Sequence, residues 1–145
     1  MDEALHEPVL QEAAVAALGL APDSRVVDAT LGRGGHSARI LEELGPDGRL
    51  LALDRDPQAV AAGRERFGCD PRVTVTHAPF SRLAEAVAEA GGEAADAVLA
   101  DLGVSSPQLD EAGRGFSFRA DGPLDMRMDT DSGPTAAEWL AEVAP

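Results

Sequence analysis

Along the first hundred residues the apolar positions switch back and forth between the two regular periods. Val9 to Leu18 carries apolar side chains at helical spacing and predicts a short amphipathic helix. Arg25 to Ala29 is a β-branched run ending at a Thr-Leu-Gly turn. His36 to Leu44 then sets Ile40, Leu41 and Leu44 on one helical face before Gly45-Pro46 stops it. Arg49 to Leu53 predicts a second strand. In the Asp54-Arg55-Asp56-Pro57 segment that follows, Asp56 suits an N-cap and Pro57 a first helical position, for a helix over Gln58 to Phe67 closed by Gly68. Val73 to Thr76 predicts a third strand, Arg82 to Ala90 a helix ended by Gly91-Gly92, and Ala97 to Ala100 a fourth strand reaching Asp101. Strands and helices alternating at such short spacing predict βαβ units, hence an α/β fold with a doubly wound parallel sheet.

Beyond Asp101 the period is lost. Residues 103–133 are rich in Gly, Pro, Ser and Asp. Regular structure resumes near Thr135, where Thr135-Ala136-Ala137-Glu138 has the form of a capping box ahead of Trp139 and Leu140. The expected organisation is a sheet-bearing part over residues 1–102, a loop region over 103–134 and the opening of a further helical segment over 135–145. Four parallel strands whose apolar fourth member is left at an edge make an incomplete sheet. The chain is therefore expected to be the first part of something longer.

Composition narrows the chemistry. The 145 residues suit one domain with an ordinary core, and they carry 26 Asp plus Glu against 12 basic side chains, a formal charge of −14. All the basic residues are Arg. Without Lys the chain is no P-loop NTPase, whose phosphate-binding lysine a flat guanidinium does not replace, and it forms no Schiff base. A single cysteine, Cys69, makes neither an internal disulfide nor a Cys-based zinc site, and no His/Cys cluster offers a metal site. Met1 is followed by acidic residues and no stretch approaches the ~20 apolar residues of a membrane span, so a soluble, untargeted, cytoplasmic protein without a membrane partner is expected. The acidic excess is an awkward start for nucleic-acid binding, and residues 73–145 hold 13 of the acids but only four Arg.

The candidate chemistry sits at strand ends. Val26 to Ser37 (VVDATLGRGGHS) spans the first strand-to-helix junction, where glycines let backbone approach a ligand and a helix start offers free N–H groups. Asp54 follows 20 residues beyond Gly34, at the end of the next strand, where a carboxylate can accept both hydroxyls of a ribose. A plain tight turn and a solvated acid would look the same. As a ligand site the pair fits NAD or S-adenosylmethionine. Ser37 in place of a third small residue, and Asp28 bringing negative charge close, favour the cationic S-adenosylmethionine. Phe80, after the third strand, reads equally as a ring against an adenine or as core. Asp101, at the end of the fourth strand, stands where open α/β sheets place reactive groups, with an N-cap or turn acid as the bland alternative. Arg114 to Met128 interleaves Arg114, Arg119 and Arg127 with Phe116 and Phe118, a pattern suited to stacking on bases and pairing with phosphates, and equally to a small packing cluster.

These strings together with HEPVL, LLALDRDPQA, LADLGVSSPQLDEAGRGFSFRADGPLDMRMD and TAAEWL closely resemble the RsmH (MraW) family. The resemblance covers essentially the whole chain but only the N-terminal portion of family members. It implies a Rossmann-like class I methyltransferase fold, here with its first four strands and the start of a helical insertion. It also implies methyl transfer from S-adenosylmethionine to N4 of a cytidine in the decoding region of 16S ribosomal RNA, within the small ribosomal subunit. The cofactor contacts it implies fall on Gly34, Gly35, His36, Asp54, Phe80, Asp101 and Gln108. His36, Phe80 and Gln108 rest mainly on that resemblance. Accepting an N–H hydrogen bond from the target amine as positive charge develops falls to Asp101 by its strand-end position, with Ser105 or Ser106 as a second acceptor, and the target cytosine is expected to leave its stack. A non-catalytic cofactor-binding module or an inactive truncated product is the alternative.

Overall fold

The structure, a computed structural model, describes residues 10–143. Part of the N-terminal string His6–Leu10 and the predicted helix start at Val9 lie outside the described residues, as does Pro145. The chain divides into two compact units, one ending at Leu102 and one beginning at Gly103.

The first unit is a four-stranded sheet in the order β3-β2-β1-β4, with β1 Arg25–Asp28, β2 Arg49–Asp54, β3 Val73–His77 and β4 Ala97–Leu99. All pairings are parallel, with Val27 opposite Leu51 and Val98, and Leu51 opposite Thr74. Helices α1 (Gln11–Ala17), α2 (Gly35–Glu43), α3 (Pro57–Phe67) and α4 (Leu83–Glu89) occupy the connections and the N-terminus. Side chains alternate across the sheet. Val26, Leu50 and Leu99 pack with Val15 of α1 and Ile40 and Leu44 of α2, and Ala52 with Leu31 and Phe67. Val27, Leu51 and Leu53 pack with Ala78 and Ala86 on the face that α4 covers. Burial on both faces is why β2 reads as a continuous apolar run where a half-exposed strand would alternate.

Local chemistry sets the element ends. The Asp56 carboxylate accepts the Gln58 N–H at 2.9 Å and Pro57 occupies the first turn, so α3 starts where the sequence predicts. β4 lies at the sheet edge, and Val98, on the α4 face, is half-exposed because α4 packs over β1 and β2.

The second unit contains α5 (Ser106–Asp110), a single 3-10 turn at Ala112–Arg114 and α6 (Ala136–Glu142). The expected featureless loop thus holds a helix: Ser105 and Gln108 form a capping box, with Pro107 in the first turn. α6 starts on the expected box, Thr135 Oγ1 accepting the Glu138 N–H at 3.2 Å. Ala136 N–H and Ala137 N–H also reach back to the carbonyls of Asp125 and Leu124, at 2.7 and 3.0 Å, which ties the helix to the preceding loop. At Gly115, in the left-handed region with φ 79°, a Cβ would stand 2.6 Å from the Pro123 carbonyl oxygen, so the chain closes on itself only without a side chain there.

Candidate active site

A parallel sheet in this order reverses direction between β1 and β4, and ligands of such sheets bind beyond the carboxyl ends of the strands at that reversal. The loop after β1, Asp54 at the end of β2 and Asp101 just beyond β4 all stand there.

Asp54 ties two of these segments together. Its Oδ2 accepts the Gly32 N–H at 2.8 Å and its Oδ1 the Asp56 N–H at 2.9 Å. Each carboxylate oxygen keeps a further lone pair, and the residue is only partly buried, so two more hydroxyl donors can be accepted. Gly32 has φ 52°, and the space a Cβ would enter there meets only the Thr30 carbonyl oxygen, at 3.9 Å, which leaves the loop open for close approach. Gly34 differs. It caps α2 in the left-handed region (φ 76°), and a Cβ would stand 2.6 Å from the Phe67 ring, so that glycine is required by packing.

Asp28 requires a correction. It was expected to lend its charge to a cationic ligand, but it is 0% exposed, its Oδ1 accepting the Thr30 N–H at 3.1 Å and its Oδ2 the Ser37 hydroxyl at 2.7 Å. Burial pushes its carboxyl above the usual range, against the lowering effect of the Ser37 and Thr30 bonds. Asp28 braces the loop from beneath, and Ser37, also fully buried, serves that brace.

Asp101 has a 60% exposed side chain, with Oδ2 4.0 Å from Nδ1 of the buried His36. Its N–H donates to Thr30 Oγ1 at 2.8 Å, a contact that sequence reasoning missed: the partners are 71 residues apart and no spacing rule connects them. Phe80 is 52% exposed at the start of a 3-10 turn, which removes its core reading. The segment leading to it is held to β2, Ala78 N–H donating to the Asp54 carbonyl at 2.9 Å. Gly34, Gly35, His36, Asp54 and Asp101 are thus gathered at one end of the sheet, with Phe80 beside the end of β3. Among the described residues no group of three His, Cys, Asp or Glu side chains is placed to hold a metal ion, and no helix is long and apolar enough to cross a membrane.

The remaining candidates belong to the second unit. Gln108 is buried, its Oε1 accepting the Ser105 N–H at 2.9 Å, so the structure gives it a local capping role. Ser105 and Ser106 are partly buried at the start of α5. The RNA expectation narrows. Arg114 is buried and donates from Nη2 to the carbonyls of Arg127 and Met128, at 3.3 and 3.1 Å, so its guanidinium holds the loop together. Arg127 forms a two-pronged pair with Asp125, at 2.9 and 2.8 Å. Hydrogen bonds from that guanidinium hold the Asp125 carboxyl down at about 2. Phe116 is partly buried, whereas Phe118 and Arg119 are exposed.

Comparison with known proteins places this arrangement. The chain is 61% identical to ribosomal RNA small subunit methyltransferase H of Dechloromonas aromatica, over 94% of this chain and 44% of that protein. It is 57% identical to the protein of the same name from Shewanella pealeana, over 94% of this chain and 43% of that one. The chain therefore spans less than half the length of these curated relatives. Among solved structures, a protein-L-isoaspartate O-methyltransferase superposes with a TM-score of 0.54 at 19% identity, covering 67% of this chain and 30% of that one, a likeness of fold. The model of the MraW methylase family matches residues 3–144, nearly the whole chain, and the chain belongs to that family.

Proposed function

We propose that this chain is the cofactor-binding part of a methyltransferase that carries a methyl group from S-adenosylmethionine to N4 of a cytidine in the decoding region of 16S ribosomal RNA, acting on the small ribosomal subunit. The observation that carries the reading is Asp54. Its carboxylate is partly open, fixed by two backbone N–H groups, and adjoins a loop open at Gly32. The relatives' name, ribosomal RNA small subunit methyltransferase H, supports the substrate class.

The residues fit the cofactor. Asp54 would accept the ribose hydroxyls, the half-exposed Phe80 ring would lie against the adenine, and the loop over Gly34, Gly35 and His36 would border the amino-acid end. When bound, the cofactor supplies an electrophilic methyl group on a sulfonium centre. Asp101 is exposed enough to accept an N–H hydrogen bond from the target amine as positive charge develops there, lowering the barrier by stabilising charge already oriented before reaction. Alignment of the amine with the methyl group supplies the rest. Ser105 and Ser106 remain proposed second acceptors.

A second reading, a module that binds the cofactor without methylating RNA by itself, is favoured by one observation: the buried Arg114 and the Asp125-paired Arg127 leave Arg119 as the exposed guanidinium of the stretch expected to meet RNA. Incubating the chain with small subunits from cells lacking the modification, and measuring N4-methylcytidine by mass spectrometry, separates the two. Product supports the enzyme; cofactor binding without product supports the module.

A further inference from the structure

We propose that Thr30 is a positioning residue for Asp101: its hydroxyl extends the β1–β4 pairing by one step beyond the last backbone bond and fixes where the Asp101 carboxylate stands. The inference rests on the reading of Asp101 as a cofactor- and amine-facing acid.

The ladder between β1 and β4 pairs Asp28 with Leu99, and its last backbone bond runs from Ala29 N–H to the Leu99 carbonyl at 2.8 Å. The next donor along the β4 side that matters for the site is Asp101 N–H, and a side chain takes it, Thr30 Oγ1 at 2.8 Å. Thr30 is itself held, because its N–H donates to Asp28 Oδ1 at 3.1 Å, and that carboxylate is locked by the Ser37 hydroxyl at 2.7 Å on its other oxygen. Asp28 and Ser37 are both wholly inaccessible, so the base of this chain of bonds is a rigid part of the core. The Asp101 carboxylate, by contrast, is exposed, and the imidazole Nδ1 of His36 stands 4.0 Å from its Oδ2, beyond a hydrogen bond. Orientation of the acid is therefore imposed through its backbone. A solvent-facing acid whose main chain is pinned this way loses less freedom on meeting a ligand than one on an untethered loop end.

The test is a cycle on the 145-residue chain, with S-adenosylmethionine affinity read by calorimetry and thermal midpoint read alongside. Thr30→Val keeps the branched shape and removes the acceptor; Thr30→Ser keeps the acceptor. Loss of one ordering hydrogen bond predicts affinity about five- to tenfold weaker for Thr30→Val, and within about twofold of wild type for Thr30→Ser. In an Asp101→Ala background Thr30→Val is expected to add no further loss, because the effect travels through Asp101. Wild-type affinity in Thr30→Val, failure of Thr30→Ser to rescue, or full additivity with Asp101→Ala would each overturn the proposal while leaving the cofactor reading intact. Unchanged affinity in Asp101→Ala, or no binding by the wild-type chain, would overturn both.

Discussion

Asp28 and Asp54 both close parallel strands, yet their surroundings assign them opposite tasks. Asp28 is sealed beneath the loop by Thr30 and Ser37, while Asp54 is fixed by Gly32 and Asp56 and left partly open. Asp54→Ala should therefore weaken S-adenosylmethionine binding by about tenfold or more, since two charge-assisted hydroxyl contacts go, whereas Asp28→Asn should leave affinity within a few-fold. The two Asp28 forms should part in their pH dependence. Burial holds the native carboxyl above its ordinary 3.8, so the native state binds the proton more tightly than the unfolded state. The extra penalty falls on the charged form alone, so it is absent below the unfolded value and stability falls as pH rises from 3.8 through the native value. Denaturant midpoints measured across that range should decline in the wild type relative to Asp28→Asn; parallel curves would show that the carboxyl is not buried as described. Packing gives a further contrast. Gly34→Ala forces a Cβ to 2.6 Å from Phe67 at φ 76°, while Gly19→Ala, at φ 61° with nothing within 4 Å, meets only the backbone cost. Urea unfolding should show Gly34→Ala as the more destabilised by about 1–3 kcal/mol.

At the scale of elements, the parts legible in the sequence were those that carry their own end signals. α3 begins on Asp56-Pro57 and α6 on Thr135 with Glu138, as their capping chemistry dictates. Asp56→Ala should accordingly cost about 1–2 kcal/mol in urea unfolding, because a buried cap leaves the Gln58 N–H without its acceptor. α5 was missed although Ser105, Pro107 and Gln108 spell the same kind of signal, since five residues are too few to show a helical period. The Arg114 to Met128 stretch stays open between RNA contact and packing for a different reason. Spacing shows which residue types lie together, but the burial of Arg114 and the Asp125–Arg127 pair depend on how the loop folds back on itself. That pair makes its own prediction. The Arg127 guanidinium holds Asp125 at about 2, so its stabilisation is present above the ordinary 3.8 and lost as pH falls through about 2. Arg127→Ala should flatten the acid limb of the unfolding profile, and an unchanged limb would contradict the pairing.

For the whole molecule, the alternation of strands and helices was sufficient to foresee the parallel sheet, and the glycine loop, Asp54 and Asp101 stood out because strand ends are where such sheets bind ligands. The Thr30–Asp101 contact was not foreseeable, since it depends on β4 lying beside β1, which brings together residues 71 positions apart. The strong negative charge acts at this scale too. With −14 overall, the chain is expected to attract a cationic sulfonium ligand and to repel a dinucleotide carrying a pyrophosphate. Calorimetric titration of the chain with S-adenosylmethionine and with NAD, wild type beside Asp54→Ala, is the most direct measurement of that preference. One saturable site for S-adenosylmethionine, lost in the variant, with no heat from NAD, is the predicted result; no binding of S-adenosylmethionine, or binding that Asp54→Ala leaves untouched, would contradict it.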